Sequence, residues 1–105
     1  MDAPAPVLNA EFLAMLVKGV SVIVGSADHR LTPSLMRGVG STVSDDGRDV
    51  TVFVSRSQSH QLLQDIAASG RLAAVFSQPS THRTVQLKSR SARLREATSA
   101  DVSAL

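Results

Sequence analysis

Residues 83–94, "RTVQLKSRSARL", combine strand-like alternation with a run of cations. With a period of two, Val85 and Leu87 share one face, and Thr84, Gln86, Lys88 and Arg90 share the other. The second face would present a hydroxyl, an amide, an ammonium and a guanidinium in a row. Such cations grip phosphate, and an amide matches the carbonyls and nitrogens of a heteroaromatic ring. An ordinary solvated strand carries the same residue types, so solvent, a phosphate-bearing cofactor, a nucleic acid and another copy of the chain are all candidate partners. The remaining chemical groups are scattered. His29, His60 and His82 lie far apart with no carboxylate at a metal-motif spacing. Serines are abundant, but no G-x-S-x-G elbow exposes one as a nucleophile. "RGVG" (37–40) contains G-x-G without a third glycine, in mid-strand rather than at a strand-to-helix turn, so it does not read as a dinucleotide fingerprint. Gly38 and Gly40 instead allow a side chain, a backbone or a ligand to approach closely.

The elements that must position these groups follow from pattern and punctuation. Residues 1–8 are a Pro/Ala leader. "NAEFLAMLVKG" reads as a short helix, with Asn9 as N-cap and Lys18–Gly19 as its stop. "VSVIVGSAD" (20–28) is a β-branched run, apolar on both faces, as in a central strand. A second strand is expected over 34–44, a hairpin turn over 45–49 with Gly47 at positive φ, and a third strand over 50–55. Ser55 and Gln58 have capping-box spacing for a helix whose apolar side carries Leu62, Leu63, Ile66 and Ala67 and which Gly70 ends. Strands are then expected over 71–77 and 83–94. In "TSADVSAL", Thr98 and Asp101 have capping-box spacing for a further turn, with Val102 and Leu105 at i and i+3. The division is leader 1–8, domain 9–95 and a helical turn or tail over 96–105. The fold class is mainly β with two or three short helices (α+β), an antiparallel sheet curled towards a barrel.

Composition narrows the function classes. At 105 residues the chain is one small domain. The absence of cysteine removes disulfides, thiolate metal sites and cysteine nucleophiles, and fits a reducing cytoplasm. No apolar run approaches the roughly 18 residues of a membrane span, and no secretory leader is evident. The net charge is only +2, and nine of the eleven cations are arginine, clustered only over 83–95. Three Phe with no Trp or Tyr leave few rings on which bases could stack, which argues against single-stranded nucleic acid.

The stretches "FVS" (53–55), "HQLLQDI" (60–66), "RLAAVFS" (71–77) and "QLKSRSA" (86–92), with "VIVGSADHRLTPSLMRGVGSTVSDDGRDVTVFV" before them, resemble the pyridoxamine 5'-phosphate oxidase-like family, the FMN-binding split barrels. The resemblance covers roughly residues 10–95. It implies a homodimer with FMN in a groove at the subunit interface, and flavin redox chemistry on a substrate it does not specify. Carried over by position, Arg37 would hold the phosphate, with Ser55 and Ser57 adding hydroxyls and the following helix start adding backbone N–H groups. Arg56 would stand in for the lysine that family members carry where this chain has Gln58. Phe53 and Val54 would line the flavin edge, and Thr84 or Gln86, with Lys88 beside them, would meet its polar atoms. Ser89 replaces a family glycine, and the chain is expected to stop short of the helix and strand that close the barrel, leaving a split barrel incomplete at its C-terminal end. Those departures open a second reading, a cofactor-free dimeric binding or structural module on the same fold. A third keeps redox chemistry with a deazaflavin or a haem, for which His60 or His82 would be the ligand; the Arg-, Ala- and Val-rich composition suits a bacterium in which deazaflavins occur.

Overall fold

The structure, a computed structural model, describes Ala14 and residues 20–81 and 83–103. The leader 1–8, the helix expected over 9–19 (Ala14 apart), His82 and the contact of Val102 with Leu105 lie outside the described residues. In chain order the elements are β1 (Ser21–Ala27), β2 (Pro33–Arg37), β3 (Gly40–Val43), β4 (Val50–Phe53), α1 (His60–Ser69), β5 (Leu72–Gln78), β6 (Arg83–Ser89) and α2 (Ser99–Ser103). Four strands form one sheet in the order β2-β1-β5-β6, and β3 and β4 form a separate two-stranded sheet. Every pairing is antiparallel. The class is therefore α+β and mainly antiparallel β, as the pattern predicts. The described strands do not close into a barrel.

The inner face of the large sheet makes the core. Val22 and Val24 of β1 and Ala74 and Phe76 of β5 are buried against Leu62 and Ile66 of α1. Val85 and Leu87 of β6 pack half-buried beside them, so the period-two reading of that strand is correct. Fully burying a side chain such as Phe76 or Leu62 stabilises by about 1.5–3 kcal/mol, and this burial seats α1 across the strands. One buried carboxylate fixes its lateral position. Asp65 accepts hydrogen bonds from Ser34 Oγ at 2.6 Å and from Gln61 Nε2 at 2.9 Å, so a group that would be costly to bury ties α1 to β2. On the other face the central strand is less covered than its apolar sequence suggests, since Ile23 is 45 % exposed.

The strand expected over 34–44 is two strands, and Gly38 is the reason. Its N–H still donates to Val22 O of β1 at 2.8 Å, while the next N–H, that of Val39, donates to Phe53 O of β4 at 2.7 Å. Within two residues the chain leaves one sheet and enters the other. A Cβ at Gly38 would lie 2.5 Å from Val22 Cγ1 and 3.0 Å from Val52 Cγ1. Only a residue without a side chain fits between the two sheets.

Two other boundaries shift for similar reasons. The helix expected to start at Ser55 begins at His60, because residues 56–58 form a turn closed by Gln58 N–H to Ser55 O at 3.2 Å. The strand expected over 83–94 ends at Ser89, opposite Leu72, where β5 begins and no further partner exists. Beyond it Ala92 N–H donates to Gly70 O at 2.8 Å, carrying the chain over the end of α1. Gly47 and Gly70 have φ of 71° and 70°, as the turn and helix stop require. In the tail, Thr98 N–H donates to Asp101 Oδ2 at 2.7 Å and Asp101 N–H donates to Thr98 Oγ1 at 3.2 Å, the reciprocal capping box that the spacing predicts.

Two outcomes follow. Gly38→Ala forces a methyl group against buried Val22 and should cost about 1–3 kcal/mol, read as a lower urea midpoint. Gly25→Ala, whose new Cβ would crowd only the end of the exposed Leu35 side chain and meet Ser34 O at an ordinary 3.6 Å, should leave the midpoint nearly unchanged; equal losses would refute close packing at Gly38 as the cause. In α2, the hydrogen bond from the Arg95 guanidinium, reinforced by Thr98 N–H, holds the Asp101 carboxyl below its ordinary 3.8. A depressed carboxylate contributes stability that is full above its unfolded pKa and is lost as pH falls through the folded one. The Thr98 and Asp101 amide resonances should therefore hold their positions from pH 7 to 4 and move only at lower pH; a transition centred near 4 would contradict the pairing.

Candidate functional site

The chain that leaves β4 builds the site. Phe53 O is held by Val39 N–H, so Val54 and Ser55 run out beside the corner at Gly38, with Arg37 on its other side. Arg37 is exposed on the outer face of β2, opposite Ile23. Ser55 and Ser57 follow in the turn, their hydroxyl oxygens 3.3 Å apart. Arg56 points into solvent and pairs with Glu96 at 2.8 Å, both side chains 83 % exposed. An ion pair this exposed contributes at most about 1 kcal/mol and leaves the guanidinium available to another anion.

Ser59 completes the arrangement. It stands at the N-cap of α1, yet makes no side-chain capping bond. Its residue is buried, and Oγ has no hydrogen-bond partner. The first backbone bond of the helix runs from Leu63 N–H to Ser59 O, and among the described residues the N–H groups of His60, Gln61 and Leu62 have no backbone acceptor. The first turn contains no acidic side chain. Helix starts concentrate free N–H groups and about half a positive charge, which favours an anion. An unpartnered buried hydroxyl, N–H groups without a backbone acceptor and the Ser55 and Ser57 hydroxyls in the preceding turn make a helix start that phosphate chemistry fits, and Arg37 lies just before the Gly38 corner on the outer face of the sheet.

The other expected site residues divide into two groups. Gln58 is exposed in the turn, and its N–H is taken by Ser55 O. The Phe53 ring is buried and Val54 is half-buried against the core, so at a ligand they would offer mainly backbone. Thr84, Gln86 and Lys88 are exposed together on the outer face of β6. That strand is the opposite edge of the sheet from Arg37. The row Arg37, Ile23, Val75, Gln86 crosses all four strands, so Arg37 and Gln86 stand three strand spacings, about 14 Å, apart. They cannot grip one group. They can hold opposite ends of an extended ligand, or act on two ligands across an interface between copies. Arg90 lies beyond β6, outside this row.

His60 shares a 3.2 Å hydrogen bond with Gln64 on the helix surface, and among the described residues no three His, Asp or Glu side chains gather to hold a metal ion. No helix among those residues is long and apolar enough to cross a membrane. Spacing alone does not single out Ser59. The available signal was "SRSQS" (55–59), three serines at alternate positions before an apolar-periodic helix, which marks a hydroxyl-rich helix entry. Comparison with protein-family models, with curated proteins and with solved structures finds no match to this chain.

The orphaned hydroxyl has a signed consequence. Ser→Ala at an N-cap ordinarily costs about 0.5–2 kcal/mol, but here there is no capping bond to lose. Removing a buried, unpartnered hydroxyl relieves about 1–3 kcal/mol of desolvation. Ser59→Ala should therefore be as stable as the parent or about 1 kcal/mol more stable in phosphate-free buffer, measured by urea unfolding. A loss of 1 kcal/mol would show that the hydroxyl is satisfied in solution.

Proposed function

We propose that this chain is an FMN-binding protein of the pyridoxamine 5'-phosphate oxidase-like kind, a flavin-dependent oxidoreductase that works as a homodimer. The observation that carries the reading is the buried, unpartnered Ser59 hydroxyl at a helix start whose first turn has no carboxylate. The reading rests also on the sequence resemblance over residues 10–95. The 5'-phosphate would be held by Arg37, the Ser55 and Ser57 hydroxyls and the N–H groups that open α1, with Arg56 exchanging Glu96 for it. Bound FMN would supply the hydride chemistry, and the protein would fix the phosphate and orient the ring. Thr84 and Gln86, on the far edge of the sheet, would meet ring polar atoms at the other end of the ligand or from a second copy. That separation is why dimerisation belongs to the reading.

A second reading has its own observation. Ile23 at 45 % and Leu35 at 68 % exposure leave the outer sheet face partly apolar, which a dimer would cover whether or not a flavin is present. On that reading the chain is a cofactor-free dimeric module.

The experiment is a visible absorption spectrum of the purified protein before and after incubation with FMN and desalting, with fluorescence quenching for affinity. Retained flavin absorbance is expected. Arg37→Ala should weaken FMN by about 10- to 100-fold, as loss of a charge-assisted hydrogen bond of about 1.5–3 kcal/mol requires, and should affect riboflavin far less. A protein that retains no flavin and still dimerises supports the second reading.

A further inference from the structure

The opposite end of α1 borders a cleft of about 880 Å³. Its floor comes from small residues on the two central strands, Gly25 and Ala27 of β1 and Ala73 of β5. Register places Gly25 opposite both Leu35 and Ala73, and Ala73 opposite Lys88. Arg71 directly precedes the Leu72–Ser89 pair on one strand and Arg90 directly follows it on the other, and both line the cleft. Small side chains in the middle and long ones at both margins make this end of the sheet concave.

The margins differ in chemistry. On the β2 side Leu31 and Leu35 are 75 % and 68 % exposed. Leu31 also has φ 65°, the only positive φ of a non-glycine among the described residues, a conformation that costs a leucine about 1–2 kcal/mol. On the β6 side stand Arg71, Lys88 and Arg90, and among the described residues none of the three has an ion-pair partner. Like charges gathered along one margin repel one another. The lining has one carboxylate, Asp28, whose Oδ1 already accepts the N–H groups of Arg30 and Thr32. The C-terminal dipole of α1 supplies only about half a negative charge against three cations. An apolar margin, a narrow floor and an unbalanced cationic margin are complementary to one kind of occupant.

We propose that this cleft binds a small organic anion, with a carboxylate or phosphate against Arg71, Lys88 and Arg90 and an apolar body laid over Gly25, Ala27 and Ala73 towards Leu35. The volume lies within the roughly 300–1,000 Å³ of small-molecule sites. The cations are confined to one margin, and the cleft has no Phe, Trp or Tyr in its lining and only the single ring of His29, which favours a small molecule over a nucleic-acid strand. The site is separate from the start of α1 and shares only Lys88 with the residues that the resemblance assigns to the flavin, so anion binding there does not require flavin.

The test is a titration of the ¹⁵N-labelled full-length protein with phenyl phosphate and with benzoate, using benzyl alcohol as the neutral control. Saturable shifts are expected at the amides of Gly25, Ala27, Arg71 and Ala73, at least tenfold tighter for the anions than for the alcohol. Comparison of the two anions reports whether the group taken is phosphate or carboxylate. The double variant R71Q/R90Q should weaken binding at least tenfold while the rest of its spectrum matches the parent; if it does not fold, K88Q alone should weaken binding several-fold. The proposal is overturned by shifts that do not saturate or centre only on residues 55–60, by equal affinity for the neutral control, or by a folded variant that binds as tightly as the parent.

Discussion

At Gly38 two sheets meet at a distance that leaves no room for a methyl group. Backbone hydrogen bonds on either side of it go to different strands, β1 before and β4 after, so the direction of the β3–β4 hairpin is set there. The hairpin brings Val50, Val52 and Val54 to the margin of the core formed by Val22, Phe76, Leu62 and Ile66. It also decides where β4 ends, and so where the chain turns through Ser55–Ser59 into α1. Arg37 comes immediately before the corner, and Ser55 follows the strand that pairs with the chain leaving it. A residue with a side chain at this position would push the sheets apart, and the loss would reach both the core and the entry to the helix.

The helix gives the molecule two electrostatically different ends. Its start lies beside the corner, with free N–H groups, an unpartnered buried hydroxyl and no acidic side chain in its first turn. Its end is closed by Gly70, over which the chain from β6 returns to hydrogen-bond at Ala92. That return route brings Arg90 to the end of the sheet beside Arg71 and Lys88. The first end is built mainly from backbone and hydroxyls. The second is built from side-chain cations around a shallow apolar floor. The two arrangements suit different ligands and are independent of one another.

Much of the fold could be read in the residues, and the failures have physical causes. The strands β1, β5 and β6, the alternation within β6, the hairpin at Gly47, the stop at Gly70 and the Thr98–Asp101 box all rest on local geometry, and all are present. The unbroken strand over 34–44 fails because a chain crossing between sheets keeps β conformation on both sides of the crossing. Its apolar pattern therefore does not change there. The Ser55–Gln58 box fails because the same residues also satisfy a tight turn, and the packing of α1 against the sheet selects His60 as its start. Among the candidate site residues, exposure of Thr84, Gln86 and Lys88 on a common face follows from period two. Their separation from Arg37 does not, since it depends on which strands occupy the sheet edges.

Composition and spacing by themselves determined a small α+β domain, its alternating faces, its turns and its caps, because each depends on residues within a few positions of one another. Strand order belonged to the tertiary structure, which put β2 and β6 at opposite edges and divided one suspected site into distant halves. Only packing could bury Ser59 without a partner, since burial is a property of what surrounds a residue. Only the pairing of β5 with β6 could bring Arg71 and Arg90, nineteen positions apart in the chain, into the lining of one cleft, because the cost of like charges depends on distance in space and not on separation in sequence.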